Sequence, residues 1–228
     1  MLMQEILGAC EAAEVALANG HTQVSTFVTE PVISVTAMGS AQAAMTLEEN
    51  VYGSDLVMTK SAGLAGAALL AKHYREALHE RYTYAFIDKA ATREKEVSVL
   101  PEVNVLRKMG IRHMHDVAEG GVFGAVWELC ERLHAGVELE LKKIPICQET
   151  VEVCEYFDVN PYQLKGDGAL LFLTHDSVAA IRALKEQGIQ AQVIGRVNES
   201  NDRVLINEDE TRFLEPNRVD EYEKARQK

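Results

Sequence analysis

The 228 residues are enough for one large or two small domains, and 47% apolar and 25% charged residues are ordinary for a globular protein with its own core. The formal net charge of −12 argues against nucleic acid or an anionic membrane as the main partner. No apolar run is long enough to cross a bilayer, and MLMQEILGAC lacks the basic start of a secretory signal, so we expect a cytoplasmic protein.

The first 55 residues carry no basic side chain, since Lys60 is the first Lys or Arg of the chain. Apolar residues at helical spacing predict a helix over 2–18, NGHTQV predicts a turn, and PVISVTAMG predicts a β-rich run that ends at Gly39. The change in composition predicts a domain boundary between residues 40 and 55.

The middle of the chain begins with SDLVMTKSAGLAGAALLAKHY, which predicts a strand, a turn and a helix whose small residues pack closely against a sheet. The segment REKEVSVLPEVNVLRKMGI predicts a further short helix. From residue 136 on, the pattern predicts strands at GVELEL, GALLFLT and QAQVIGRV, helices at ETVEVCEYFDV and DSVAAIRALKEQG, and a terminal strand or hairpin at DRVLINEDETRFLE. Strands and helices mix without strict alternation, so we predict an α+β sandwich of a sheet against helices.

The four cysteines form no CxxC pair, and no HxxxH or HExxH pattern accompanies the histidines. Cys10 and Cys130 fall on apolar helix faces, and the seven-residue spacing of Cys147 and Cys154 places them on one side of a helix. We therefore predict buried, reduced thiols and no zinc site.

The motif HDVAEGGVFGAVWELCE, residues 115–131, combines acidic residues with paired glycines at the start of an amphipathic helix. Gly120 and Gly121 would let backbone N–H groups approach an anion at the helix N-terminus. Asp116 and Glu119 would repel that anion unless a cation bridged them. The alternative is structural: Asp116 caps the helix and the glycines form a loop. The spacing leaves both interpretations open.

Six motifs in order resemble the aminoimidazole ribonucleotide (AIR) synthase superfamily, nearest to the branch of the hydrogenase maturation factor HypE. They are NGHTQV with PVISVTAMG, GSDLVMTKSAGLAGAALLA, HDVAEGGVFGAVWEL, IPICQETVEVCEYFDVNPYQL, GDGALLFLT and QAQVIGRV. Each motif is weak alone, but together they cover nearly the whole chain. The resemblance implies an AIR-synthase-like C-terminal α/β sandwich, residues 49–228, preceded by a remnant of the N-terminal ATP-binding and dimerisation domain, residues 1–48.

The resemblance also implies ATP and Mg²⁺ in a cleft between the two domains, and phosphorylation of a carbonyl or amide oxygen. By position, Gly120 and Gly121 would face the cofactor and Asp116 and Glu119 the metal. The opposite wall of the cofactor site would consist of Asn19, Gly20, His21 and Thr22. The resemblance assigns no catalytic residue to this chain.

Departures from the family pattern limit this expectation. The aspartate-rich segment that holds most of the ATP and magnesium in the family lies upstream of the first helix and is absent from this sequence. Asn19 stands where a glycine is usual, and no cysteine follows Cys154, so the cysteine-borne dehydration of the HypE branch is not expected. We expect weak ATP binding by this chain.

Three functional hypotheses follow. The first is an ATP-dependent enzyme whose N-terminal half lies outside this sequence, and the second is a non-catalytic remnant that binds a ligand or a partner. A relative of the selenophosphate or thiamine-phosphate kinases ranks last. The substrate would be a small molecule or a group carried by a protein. We also predict a homodimer formed through residues 24–39, where an apolar strand would lack its partners.

Overall fold

The structure is a computed structural model that describes residues 2–29, 31–39, 50–215 and 219–227. It divides into two compact units, Met1–Leu47 and Glu48–Lys228. In the described part of the first unit, residues 2–29 and 31–39, helix α1 spans Leu2–Ala12, so the helix predicted over 2–18 ends earlier than expected. The prediction of a strand at PVISVTAMG was wrong: residues 31–39 are exposed and form no strand. A strand needs a partner for its backbone groups, and none is described beside this run.

The second unit holds the remaining regular elements. Its strands are β1 (Asp55–Thr59), β2 (Met114–Val117), β3 (Gly136–Glu140), β4 (Ala169–Thr174), β5 (Ala191–Asn198), β6 (Arg203–Asn207) and β7 (Glu210–Phe213). Its helices are α2 (Leu64–His73), α3 (Arg75–His79), α4 (Tyr84–Thr92), α5 (Leu100–Lys108), α6 (Gly121–Leu133), α7 (Gln148–Phe157), α8 (Ser177–Glu186) and α9 (Glu221–Arg226). Short 3-10 turns lie at Arg93–Glu96 and Leu141–Lys143.

The seven strands form one mixed sheet in the order β2-β4-β1-β5-β3-β6-β7. Neighbouring strands are antiparallel except β3 and β6, which pair in parallel. In β2 and β4, Met114 lies opposite Phe172 and Val117 opposite Ala169, so the end of β2 meets the start of β4. This register places the loop after β2 beside the loop before β4.

Helices cover both faces of the sheet, because successive side chains of a strand point to opposite faces. Leu56 and Met58 of β1 belong to the core cluster that contains the apolar stripe of α6. Val57, between them, packs with Leu106 of α5 and Leu184 of α8. Each fully buried Leu side chain stabilises the folded state by about 1.5–3 kcal/mol relative to an exposed one. The predicted α+β sandwich is confirmed, with helical layers on both sides.

A third cluster consists of helices packed on helices and lies beside the sheet. It joins α2, α4, α7 and α9 through buried residues that include Leu70, Ile87, Val153 and Tyr222. The sequence pattern predicted α2 and α7 but not α3, α4 or α9. The C-terminal helix α9 has six residues, too few to show a period, and its buried Tyr222 and Ala225 fix it to this cluster.

Candidate functional site

The turn before α6 brings two loops of the second unit into close contact. Gly120 and Gly121 both have positive φ, 81° and 64°. A Cβ on Gly121 would lie 2.6 Å from the carbonyl oxygen of Tyr162 and 2.7 Å from that of Leu164. The glycine at 121 is therefore required for the close approach of the 160–168 loop.

The N–H groups at the start of α6 donate to acceptors within the chain. Gly120 N–H donates to Oδ2 of Asp220 at 2.6 Å, and Phe123 N–H donates to the Tyr162 carbonyl at 3.1 Å. Gly121 N–H donates to the Ala118 carbonyl at 3.2 Å. These donors of the glycine turn therefore already have partners within the chain. Contact of Gly120 and Gly121 with a cofactor stays a prediction.

Asp220 provides the negative charge that this helix start attracts. Its side chain is 4% exposed and also accepts from the backbone N–H groups of Lys165 at 3.2 Å and Tyr222 at 2.7 Å. It is at the same time the N-cap of α9. One carboxylate therefore joins the starts of α6 and α9 to the 160–168 loop. Sequence reasoning missed it, because Asp220 lies 100 residues from Gly120.

Asp116 and Glu119, the predicted metal ligands, are both exposed. Asp116 is in β2 with its side chain 65% exposed, 3.9 Å from Nδ1 of His115. Among the described residues, no group of three or more His, Cys, Asp or Glu side chains is arranged to hold a metal ion. These residues do not make a magnesium site by themselves, and the metal role of Asp116 and Glu119 stays a prediction.

The 160–168 loop occupies the centre of the candidate site. Gly166 N–H donates to the Ala118 carbonyl at 3.1 Å, and the Lys165 carbonyl accepts from Gly66 N–H at 2.9 Å. Asp167 Oδ2 is buried without a hydrogen bond, and the nearest cation is Nζ of Lys165 at 3.9 Å. Lys165 and Asp167 thus lie on the loop before β4, beside the loop after β2 that contains Glu119, and their spacing in the sequence gave no signal of this.

Lys60 fixes the end of this loop against its neighbours. Its Nζ donates to the carbonyls of Glu96, Ser98 and Gly168 at 2.8–2.9 Å and lies 2.8 Å from the buried carboxylate of Glu102. Without Lys60, a buried carboxylate would lose its counter-charge. The Lys60 amine therefore has a structural role.

The four predicted residues of the opposite wall belong to the first unit. Asn19, Gly20, His21 and Thr22 are exposed and outside any helix or strand. Asn19 Oδ1 accepts from Gly20 N–H at 2.7 Å, a local turn contact. Their role in cofactor binding stays a prediction.

The cysteines divide into two environments. Burial raises the pKa of Cys130 to about 11 and that of Cys154 to about 12. Cys147, which caps α7, is part-exposed and borders a cleft of about 570 Å³ with Arg93 and Lys89. The prediction of buried thiols holds for Cys130 and Cys154 but not for Cys10 or Cys147, which are part-exposed.

Comparison with known proteins identifies the family. The model of the AIR synthase related protein C-terminal domain matches residues 52–207, more than half of the chain. The chain belongs to the AIR synthase related family. The matched residues include β2, the glycine pair, α6 and the 160–168 loop, so the candidate site lies within the family domain.

Curated relatives of this AIR synthase related chain are proteins of hydrogenase maturation. A provisionally assigned hydrogenase expression/formation protein of Methanocaldococcus jannaschii is 24% identical over 211 residues, covering 90% of this chain and 61% of that protein. Carbamoyl dehydratase HypE of Rhodobacter capsulatus is 30% identical over 92 residues, covering 38% of this chain and 27% of that protein.

Solved structures show the same fold. Escherichia coli HypE, described as a hydrogenase maturation protein, superposes with a TM-score of 0.62 at 19% identity, over 78% of this chain and 54% of that one. A HypE in complex with ATP gives a TM-score of 0.54 at 18% identity, over 75% of this chain and 52% of that one. The chain spans about half the length of these structures. No helix in the described ranges is long and apolar enough to cross a membrane.

Proposed function

We propose that this chain is part of a HypE-like, ATP-dependent enzyme that phosphorylates a carbonyl or amide oxygen of its substrate. Residues 118–121 and 160–168 would form one wall of the phosphate site, and residues 1–48 would belong to the ATP-binding and dimerisation domain. Family membership supports the proposal, as do the hydrogenase-maturation relatives. Because the chain spans 61% of the M. jannaschii relative, the rest of the ATP site would come from residues outside it.

The observation that carries this proposal is that the family domain matched over residues 52–207 includes both the glycine turn before α6 and the 160–168 loop. A helix N-terminus stabilises negative charge, and the Gly120 N–H at 2.6 Å from Asp220 shows this helix start doing so. Glu119 immediately precedes Gly120 in the chain and Asp116 lies three residues earlier in β2; both side chains are exposed. Because Gly120 and Gly121 are buried and their N–H groups have partners, phosphate oxygens would bind beside this turn, with a cation between them and the exposed carboxylates.

Each residue of the wall has a defined physical role in this proposal. Lys165 places a positive charge on the loop where phosphoryl oxygens would carry negative charge. The glycine turn and the Asp220 hydrogen bonds fix the positions of both loops, so little reorganisation is needed when a ligand binds. ATP would supply the phosphoryl group. Because the described residues do not complete a magnesium site, tight Mg-ATP binding would need further metal ligands from residues outside this chain.

The whole protein would act as a cytoplasmic homodimer on a small molecule or a protein-carried group. A HypE–HypF complex is among the structures that share the fold, with a TM-score of 0.55 at 18% identity over 73% of this chain and 53% of that one. That fold likeness supports, for this chain, a substrate or partner that is itself a protein.

A second candidate function is a non-catalytic protein that keeps the fold to bind a ligand or a partner. The hydrogen bond between Gly120 and Asp220 favours it, since the chain's own carboxylate already occupies the anion position. The exposed carboxylates of Asp116 and Glu119 also favour the non-catalytic function, because among the described residues no third ligand joins them to form a metal site.

Calorimetry with Mg-ATP separates these proposals. The isolated chain should bind Mg-ATP with a dissociation constant above about 1 mM, which corresponds to a binding free energy of about −4 kcal/mol. A longer product of the same gene that includes an aspartate-rich upstream segment should bind at low micromolar concentration and consume ATP. Low-micromolar binding by the isolated chain would contradict the claim that the rest of the ATP site comes from residues outside it. No ATP consumption by the longer product, or no such segment upstream, would favour the non-catalytic protein.

A further inference from the structure

A second cleft lies at the opposite end of the sheet from the candidate site. It has a volume of about 430 Å³ and lies between residues 50–54, 109–113 and 173–175, all in the second unit. Strand β4 runs from the candidate site at Ala169 to this cleft at Thr174. The five steps from Ala169 to Thr174, at about 3.3 Å each, separate the two sites by roughly 17 Å. The cleft is therefore independent of the 118–121 turn.

The lining of this cleft combines apolar side chains, those of Val51, Met109, Ile111 and Leu173, with basic and hydrogen-bonding ones, and it contains no carboxylate. Arg112, His113 and His175 line it together with Ser54, Asn50 and Thr174. A volume of this size falls within the usual range of small-molecule sites, roughly 300–1,000 Å³. In a chain of net charge −12, a cleft without an acidic side chain in its lining is a local exception.

The neighbouring carboxylates are directed to other partners. Asp55, next to Ser54 in the chain, accepts from Ser177 Oγ at 2.6 Å. Asp176, next to His175, accepts from Ala179 N–H at 3.0 Å as the N-cap of α8. Neither is among the residues that line the cleft.

The polar groups of the cleft have donors to offer. His175 Nε2 lies 3.1 Å from the Asn50 carbonyl, which can only accept, so this nitrogen carries a proton. The same nitrogen lies 3.3 Å from Ser54 Oγ, and because it carries a proton it cannot accept from this hydroxyl, whose hydrogen is left to donate to another group. Arg112 is exposed and makes no hydrogen bond or ion pair in the part of the chain that the structure describes.

We propose that this cleft binds a small molecule bearing an oxyanion, a phosphate or a carboxylate, with Arg112 as its main charged contact. The planar guanidinium presents paired donors that match either anion. Ser54 Oγ–H supplies a further donor beside it. Because the site is remote from the 118–121 turn, it does not depend on the function proposed above.

Amide NMR titrations of the whole chain at pH 7 with inorganic phosphate, and separately with citrate, test this. We expect saturable shifts at residues 50–54, 109–113 and 173–175, and the stronger ligand identifies the anion class. Arg112→Ala should weaken binding about 10-fold, equivalent to about 1.4 kcal/mol. Arg212→Ala, an exposed arginine on β7, is the matched control and should bind as the wild type does.

Three outcomes would overturn the proposal. They are no saturable shift with either anion, equal affinity in Arg112→Ala and the wild type, or shifts confined to residues 116–121. The spectra also report whether each variant is folded. His175→Gln provides a second test, since it retains an N–H donor but cannot become charged, and it should weaken binding less than Arg112→Ala.

Discussion

Replacement of Asp220 by Ala should strongly destabilise the second unit. The carboxylate accepts from three backbone N–H groups, those of Gly120 at 2.6 Å, Tyr222 at 2.7 Å and Lys165 at 3.2 Å. An unsatisfied buried donor costs about 1–3 kcal/mol, and loss of an N-cap costs about 1 kcal/mol. Because water can reach the part-buried Lys165 N–H, we expect a total loss of about 3 kcal/mol.

Urea denaturation followed by far-ultraviolet circular dichroism measures this loss. The slope with urea should stay constant while the midpoint falls, and the melting temperature should drop by roughly 6–12 °C for a chain of this size. Asp220→Asn keeps an acceptor and should lose less than Asp220→Ala. Asp176→Ala is the matched control, an exposed N-cap that accepts one N–H, and should cost about 1 kcal/mol. Equal effects of Asp220→Ala and Asp176→Ala would refute the reasoning.

Three further predictions concern the glycine turn, the cysteines and the first unit. Gly121→Ala should cost about 2–4 kcal/mol in urea denaturation, because its Cβ would lie 2.6 Å from the Tyr162 carbonyl oxygen at positive φ, whereas Gly188→Ala, with open space around it, should cost about 1 kcal/mol. The reasoning fails if the two variants are equally stable. At pH 8 a thiol reagent should modify Cys10 and Cys147 rapidly but not Cys130 or Cys154. The pKa values of Cys130 and Cys154, about 11 and about 12, keep these thiols protonated, and their burial excludes the reagent. Rapid modification of all four cysteines in the native protein would be inconsistent with this fold. Light scattering at high micromolar concentration should show a dimer, since Phe27 is 97% exposed and Val24, Val35 and Met38 are also exposed, and a monomer would contradict the role given to residues 24–39.

Apolar periodicity predicted most of the second unit. The short continuous apolar run in GALLFLT and the apolar stripe of α6 gave the right elements, because the first is typical of a strand buried on both faces and the second of a helix buried on one. The run PVISVTAMG shows the limit of this reasoning. β-branched residues favour a strand, but a strand forms only where another backbone pairs with it, and sequence does not show the partner.

The candidate site was predictable only in part. The glycine pair correctly indicated a close backbone approach, yet the approaching group is the chain's own 160–168 loop and the nearest anion is Asp220. Local sequence does not distinguish a ligand from a distant segment of the same chain, because both satisfy the same N–H groups. Asp167 and Lys165 join this site through the register of β2 and β4, a tertiary feature.

An amide NMR titration with ATP, with and without Mg²⁺, tests the central claim most directly. The account predicts weak, saturable shifts at residues 116–121 and 163–168 that strengthen with Mg²⁺ and decrease in Asp116→Asn. The Asp116→Asn variant removes a carboxylate whose side chain is exposed and should leave stability within about 0.5 kcal/mol of the wild type. If Mg²⁺ makes no difference, or if the shifts fall elsewhere, these loops have a structural role only and the proposed phosphate wall is contradicted.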